Sequence, residues 1–176
     1  MATKTISGTS GNDKLQSGPG SQTILGLQGN DTLIAGTGSR RLRRHPGSDI
    51  LNGGEGNDTA DFRSVNFKIE ADLATGTANY FARVKRFLRR SRVVKVKDAL
   101  VSIENLNGGR QDDTLKGNDQ ANVLNGNDVN DTLIGRQGDD ILTGGAGNDR
   151  MIWNNGDGSD TMRGGSGRDA VEVNGA

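Results

Sequence analysis

Asp131-Thr132-Leu133-Ile134-Gly135-Arg136-Gln137-Gly138-Asp139-Asp140-Ile141-Leu142-Thr143-Gly144-Gly145-Ala146-Gly147-Asn148-Asp149 is the passage on which the fold turns. Within it Asp131, Asp140 and Asp149 recur every nine residues, as do Leu133 and Leu142. Such a period is too short for a helix with its connection, and long enough for one short strand and one tight turn. Gly135, Gly138, Gly144, Gly145 and Gly147 supply the turns, and the leucines mark the inward position of each strand.

The same phase runs outward in both directions. Leu15, Ile24, Leu33, Leu42, Leu51 and Ala60 hold the apolar place, and Gly11, Gly20, Gly29, Gly38, Gly47 and Gly56 keep a parallel series. After an interruption the pattern returns with Leu115, Leu124, Leu133, Leu142 and Met151. A two-residue slip then precedes Met162 and Val171. Lone Asp-Gly and Asn-Gly pairs are ordinary turn formers; a sustained phase is the mark of a repeat architecture.

Composition agrees. Of 176 residues, 31% are apolar and 3% aromatic, too little for an ordinary globular core, whereas 28 are glycine. There is no cysteine, which excludes disulfides and thiolate-bound zinc and is compatible with an oxidising exterior. No apolar run reaches the length of a membrane-spanning helix, and Met1 to Ser10 carries no hydrophobic leader.

The fullest units read Gly53-Gly54-Glu55-Gly56-Asn57-Asp58, Gly144-Gly145-Ala146-Gly147-Asn148-Asp149 and Gly164-Gly165-Ser166-Gly167-Arg168-Asp169. On these residues the chain resembles the RTX, or hemolysin-type, calcium-binding repeat proteins, whose nonapeptide is GGxGxDxUx. The resemblance covers residues 8–60 and 108–172. Between them, Asp72-Leu73-Ala74-Thr75-Gly76 and Leu100-Val101-Ser102-Ile103-Glu104-Asn105 look like spacers between such arrays. The resemblance implies an all-β fold: a right-handed parallel β-roll, or β-solenoid, in two arrays separated by an irregular insert. The expected divisions are 1–60 for the first array, 61–107 for a basic β-containing insert and 108–176 for the second array.

The resemblance also implies Ca²⁺ as the cofactor, held between the turns of adjacent coils. The chemistry suits it, because Ca²⁺ takes six to eight oxygens from carboxylates and carbonyls. Two units make one coil, so ligands on one edge recur every 18 residues. In the first array one edge carries Asp13, Asp31 and Asp49, and the other Gln22, Arg40 and Asp58. In the second, one edge carries Asp113, Asp131 and Asp149, and the other Asn122 and Asp140, then Asp160 beyond the slip. The metal-site set is therefore Asp13, Asp31, Asp49, Asp58, Asp113, Asp131, Asp140, Asp149, Asp160 and Asp169. It is completed by the turn glycines Gly53, Gly56, Gly126, Gly135, Gly138, Gly144, Gly145, Gly147, Gly164 and Gly167. Trp153 to Asp160 reads as a longer turn in which Asp157 or Asp160 reaches an ion. Pro19, Gln22, Arg40, Gln111, Gln120 and Val129 depart from the unit and mark turns that can hold structure without one.

Lys+Arg and Asp+Glu balance at 22 each, yet the cations are segregated. Arg40, Arg41, Arg43 and Arg44 lie within the first array, where Arg40 could face Asp58 as a tethered cation in place of calcium. Arg83, Lys85, Arg86, Arg89, Arg90, Arg92, Lys95 and Lys97 fill the insert with no acid between them, and Phe81, Phe87 and Leu88 lie among them. Three readings are open for this second run: a solvated strand pair or loop, a site for a polyanion or an anionic membrane surface, and arginines produced by reading Gly-Asp codons out of frame. No specific nucleic-acid motif accompanies it.

No catalytic constellation is visible. His45 is the one histidine, and neither a GxSxG elbow nor a P-loop lysine occurs. The function expected is calcium binding coupled to folding of a secreted protein, exported by the type I route that the resemblance implies. The alternatives are a calcium-dependent tail of an extracellular enzyme or toxin, and an adhesive surface protein that binds polyanions.

Overall fold

A computed structural model describes residues 4–18, 22–27, 31–34, 36, 40–43, 47–86 and 89–175. Gly20, Gly29, Gly38, Arg44, His45, Phe87 and Leu88 lie outside the described residues, as do the side chains of Gln22, Arg40, Arg41, Arg43, Lys85, Arg86, Arg89 and Arg90.

The described residues are all-β, with short strands β1 (Lys4–Ser7), β2 (Lys14–Gln16), β3 (Gln22–Leu25), β4 (Thr32–Ile34), β5 (Arg40–Arg43), β6 (Ile50–Asn52) and β7 (Thr59–Asp61) in the first array. The insert supplies β8 (Ile69–Asp72), β9 (Thr77–Arg86), β10 (Arg89–Val101) and β11 (Asn105–Asn107). The second array is β12 (Thr114–Lys116), β13 (Val123–Asp128), β14 (Thr132–Ile134), β15 (Ile141–Ala146), β16 (Arg150–Asn154), β17 (Thr161–Ser166) and β18 (Ala170–Asn174).

Successive strands alternate between two sheets, as a unit of one strand and one turn requires. The eight-stranded sheet runs β1-β3-β5-β7-β11-β13-β15-β17, and the ten-stranded sheet runs β18-β16-β14-β12-β8-β9-β10-β6-β4-β2. Within the arrays every pairing is parallel and joins residues one coil apart, as in Leu33↔Leu51 and Leu115↔Leu133. The inward residue therefore stacks on its equivalent. Ile24, Leu33, Leu42, Leu51, Ala60, Leu106, Leu115, Leu124, Leu133, Leu142 and Met151 form one buried ladder between the sheets. Leu15 and Met162 pack against it while partly exposed, and Val171 is exposed.

The insert gives three strands to the ten-stranded sheet and only β11 to the eight-stranded one. In the eight-stranded sheet β7 pairs directly with β11, placing Ala60 beside Leu106. In the other, β10 pairs parallel with β6 through Leu100↔Leu51, and β8 pairs parallel with β12 through Ala71↔Leu115. β9 lies antiparallel between β8 and β10. The turn from β8 to β9 is made by Asp72, whose Oδ1 accepts from the N–H groups of Ala74 and Thr75 at 3.0 and 3.2 Å, and by Gly76 at φ 62°. Alternation then fixes the two faces of the β9–β10 hairpin. Ala78, Tyr80, Ala82 and Val96 are buried, whereas Phe81, Arg83, Val93, Lys95 and Lys97 are exposed. The basic run is thus a strand pair with one covered face. With Phe62, Val65, Ile69, Leu100 and Ile103, that face builds a thicker core than the single-residue ladder elsewhere. Phe62 and Tyr80 meet with tilted rings, centroids 6.2 Å apart.

Candidate metal sites along the turn edges

Each ladder aspartate stands just before a strand and is tied to its equivalents in neighbouring coils. The N–H of Asp13 donates to Oδ1 of Asp31 at 3.0 Å, that of Asp31 to Asp49 at 2.9 Å, and that of Asp49 to Asp98 at 2.9 Å. In the second array the N–H of Ile69 donates to Oδ1 of Asp113 at 2.8 Å. Asp113 donates in turn to Asp131 at 2.7 Å, Asp131 to Asp149 at 2.8 Å, and Asp149 to Asp169 at 3.0 Å. The opposite edge runs from Asp58 to Glu104 at 2.8 Å, from Asn122 to Asp140 at 2.7 Å, and from Asp140 to Asp160 at 3.0 Å. The 18-residue alternation of edges is therefore present as a chain of hydrogen bonds, and the slip places Asp160 in the ladder. Asp157 instead closes its own turn, accepting from the N–H and side-chain amide of Asn154.

The second carboxylate oxygen separates two kinds of turn. In the first kind the N–H four residues earlier donates to the side-chain oxygen: Thr9 to Asp13, Gly109 to Asp113 and Asn118 to Asn122. In the second kind the residue four positions earlier has positive φ, which turns its N–H away. This holds for Leu27 before Asp31, Asn127 before Asp131, Arg136 before Asp140, Gly145 before Asp149 and Gly156 before Asp160. At these five aspartates Oδ2 is buried and has no hydrogen-bond partner. Gly54 and Gly165, at the same place before Asp58 and Asp169, also have positive φ. The second glycine of the motif is therefore conformational: it opens the turn and leaves a buried carboxylate oxygen without a donor.

The first glycine has a different cause. A methyl group built on Gly126 would lie 2.6 Å from the carbonyl oxygen of Gly144 and against Oδ2 of Asp131. On Gly108 it would lie 2.6 Å from the Gly126 carbonyl and 2.7 Å from Oδ2 of Asp113. Gly135, Gly144 and Gly164 are closed in the same way by Asp140, Asp149 and Asp169, and Gly53 by Asp58. Gly138, Gly147 and Gly167, like Gly56, occupy the fourth place with positive φ.

Burial shifts these carboxyls. Desolvation pushes Asp131 up to about 7, assisted by the charges of Asp113, Asp149 and Asp112. It pushes Asp113 and Asp140 up to about 6, and it raises Asp31, Asp149 and Asp160 above the ordinary carboxylate value. Among the described residues no three Asp, Glu, His or Cys side chains converge as a preformed metal cluster. The oxygens along each edge are instead stacked carboxylates and main-chain carbonyls, a donor set that fits a hard cation and not a soft one.

A family model for the RTX calcium-binding nonapeptide repeat matches residues 5–42, 45–61, 102–133, 125–152 and 154–172, more than half of the chain. The chain belongs to the RTX calcium-binding repeat family. RTX nonapeptide repeats bind Ca²⁺, and the unpartnered carboxylate oxygens lie on repeats that the family model covers. The matched repeats form a calcium-binding β-roll and not a catalytic fold. No curated protein matches the chain.

Four participants were not singled out from sequence. Asp98 and Glu104 continue the two RTX edges where the insert replaces a repeat, and the Tyr80 hydroxyl lies 3.0 Å from both Asp98 oxygens. Arg136 forms a two-pronged ion pair with Asp72, both N···O distances 2.8 Å, and also donates to the Gly117 carbonyl. A tethered cation thus occupies the edge that carries the neutral Asn122. The side chain of Arg40, expected to play such a part against Asp58, lies outside the described residues.

Proposed function

We propose that the chain is a secreted protein whose β-roll completes its folding by binding calcium at the open turns. These are the turns of Asp31, Asp131, Asp140, Asp149 and Asp160, with Asp49, Asp58 and Asp169 at equivalent places. The observation that carries this reading is the set of buried Oδ2 atoms without hydrogen-bond partners, stacked coil upon coil beside glycine carbonyls. Two carboxylates about 5 Å apart repel by about 3 kcal/mol at an effective dielectric near 20. A divalent cation between coils removes that repulsion and supplies the missing partner, so its binding energy contributes to folding. Asp13, Asp113 and Asn122, whose oxygens are satisfied within their own turns, hold structure and contribute less to the ion. Membership of a family whose members are typically secreted supports an extracellular setting. Affinities of extracellular calcium modules, ~10⁻⁴ to 10⁻³ M, suit a chain whose folding stays incomplete where calcium is scarce.

Calorimetric titration with calcium tests the assignment. Asp31→Ala and Asp131→Ala lower the stoichiometry, whereas Gln22→Ala leaves it unchanged. Equal losses from all three contradict it.

A further inference from the structure

The outer face of the β9–β10 hairpin carries features that the calcium edges do not use. Strand register sets Phe81 opposite Lys95, Arg83 opposite Val93 and Asn79 opposite Lys97. Residues two apart on one strand stand about 7 Å from each other, so Lys95 and Lys97 form a cationic row on the scale of successive sugar residues. Phe81 is 49% exposed and Val93 46% exposed. Among the described residues of the hairpin the one acid is Asp98, which is buried with Tyr80 on the opposite face. Beside Phe81 lies a cavity of about 270 Å³ lined by Lys68, Glu70, Asn79, Tyr80, Phe81 and Lys95. Lys68 Nζ and Glu70 Oε1 form an exposed ion pair at 3.7 Å.

We infer that this face binds an acidic polysaccharide, one uronate residue seated in the cavity with the chain running along Lys95 and Lys97. Five of the six lining residues have a role in that chemistry. Lys68 and Lys95 take the sugar carboxylate, the Phe81 ring stacks against the apolar face of the pyranose, and Asn79 and Glu70 bond hydroxyl groups. The cavity sets one exposed ring, Phe81, among the charged or amide side chains of Lys68, Glu70, Asn79 and Lys95, which favours a sugar over a lipid surface, where a broad apolar face is required. Glu70 opposes a closely spaced phosphate backbone while still accepting from hydroxyls, which favours a uronate chain over nucleic acid. None of the lining residues belongs to an open turn, although Lys68 adjoins Ile69, whose N–H donates to Asp113.

The full chain in calcium is titrated calorimetrically with hyaluronan and with oligogalacturonate, with neutral dextran, duplex DNA and phosphatidylserine vesicles as comparators. At least one uronate polymer binds and dextran does not. Phe81→Ala and Lys95→Ala each weaken binding about tenfold with an unchanged circular dichroism spectrum, and Glu70→Gln tightens it by relieving repulsion of the carboxylate. The inference is overturned if neither uronate binds, if dextran binds equally, or if DNA or vesicles bind more tightly than either uronate. Uronate binding that Phe81→Ala and Glu70→Gln leave unaltered also overturns it, because attraction to a diffuse basic surface would then suffice.

Discussion

The N–H of Asp131 donates to Oδ1 of Asp149 at 2.8 Å, while Oδ2 of Asp149 is buried with no hydrogen-bond partner. One oxygen of this aspartate therefore fixes the spacing between coils, and under the proposed function the other meets the ion. An Asn at position 149 can keep the first and lose the second. Asp149→Asn is expected to bind fewer calcium ions than the wild type while its metal-free stability stays the same or rises. Calcium calorimetry and denaturant melts in EDTA check this. Loss of metal-free stability with full stoichiometry would show that the side chain serves only the ladder.

Protonation is expected to mimic part of the effect of calcium. Burial pushes the Asp131 carboxyl from 3.8 up to about 7 and those of Asp113 and Asp140 up to about 6. A raised folded-state value means that the metal-free native state holds more protons than the unfolded chain. The stabilisation is complete below 3.8 and is lost as pH rises through 6 to 7. In EDTA the melting temperature should therefore be higher at about pH 5 than at about pH 8. Calcium must displace those protons, so its affinity should rise over the same interval. A metal-free melting temperature that increases with pH across this window would contradict the burial argument.

The two glycine places should respond differently to substitution. Val129 stands at the fourth place of its turn with φ 64°, a costly conformation for a β-branched residue. Val129→Gly is expected to stabilise the calcium-loaded protein by about 1 kcal/mol. Gly126 does not have positive φ, yet a methyl group there meets the Gly144 carbonyl at 2.6 Å. Gly126→Ala should cost about 2 kcal/mol despite its unexceptional backbone. Urea denaturation at saturating calcium measures both.

Arg136 and Asp72 should couple without regard to calcium. Burial alone would raise the Asp72 carboxyl; the hydrogen bonds from Arg136, Thr75 and Ala74 and the Arg136 charge outweigh it and hold the value below the usual range. The pair has side chains 29% and 21% exposed, so it is less screened than a surface pair. A double-mutant cycle with Arg136→Met and Asp72→Asn should give a coupling of about 1 kcal/mol, equal in EDTA and in calcium. Coupling present only with calcium would place the pair under the control of an ion.

The regular parts of this fold were legible because a nine-residue period carries its own register. The positions of Leu33, Leu115 and Leu142 follow from the phase, as does the alternation of Asp131 and Asp140 between edges. The insert carries no period, so the partners that close its edges had to be found in space. Asp49 meets Asp98 and Asp58 meets Glu104 across 49 and 46 residues, and nothing local announces either. Alternation along Ala78, Tyr80 and Ala82 does mark a half-buried strand, but the dense cations nearby drew attention to solvent. Open and closed turns were also out of reach from sequence, because Leu27, Asn127 and Arg136 adopt the positive φ that the motif reserves for glycine.

Far-UV circular dichroism of the full chain during a calcium titration from EDTA, at a pH above the raised carboxyl values, tests the central claim most directly. Stacked open turns held apart by unpaired carboxylates predict a partial β-signal without the ion and a cooperative rise as calcium is added. A full β-signal in EDTA that calcium leaves unchanged would contradict calcium-coupled folding.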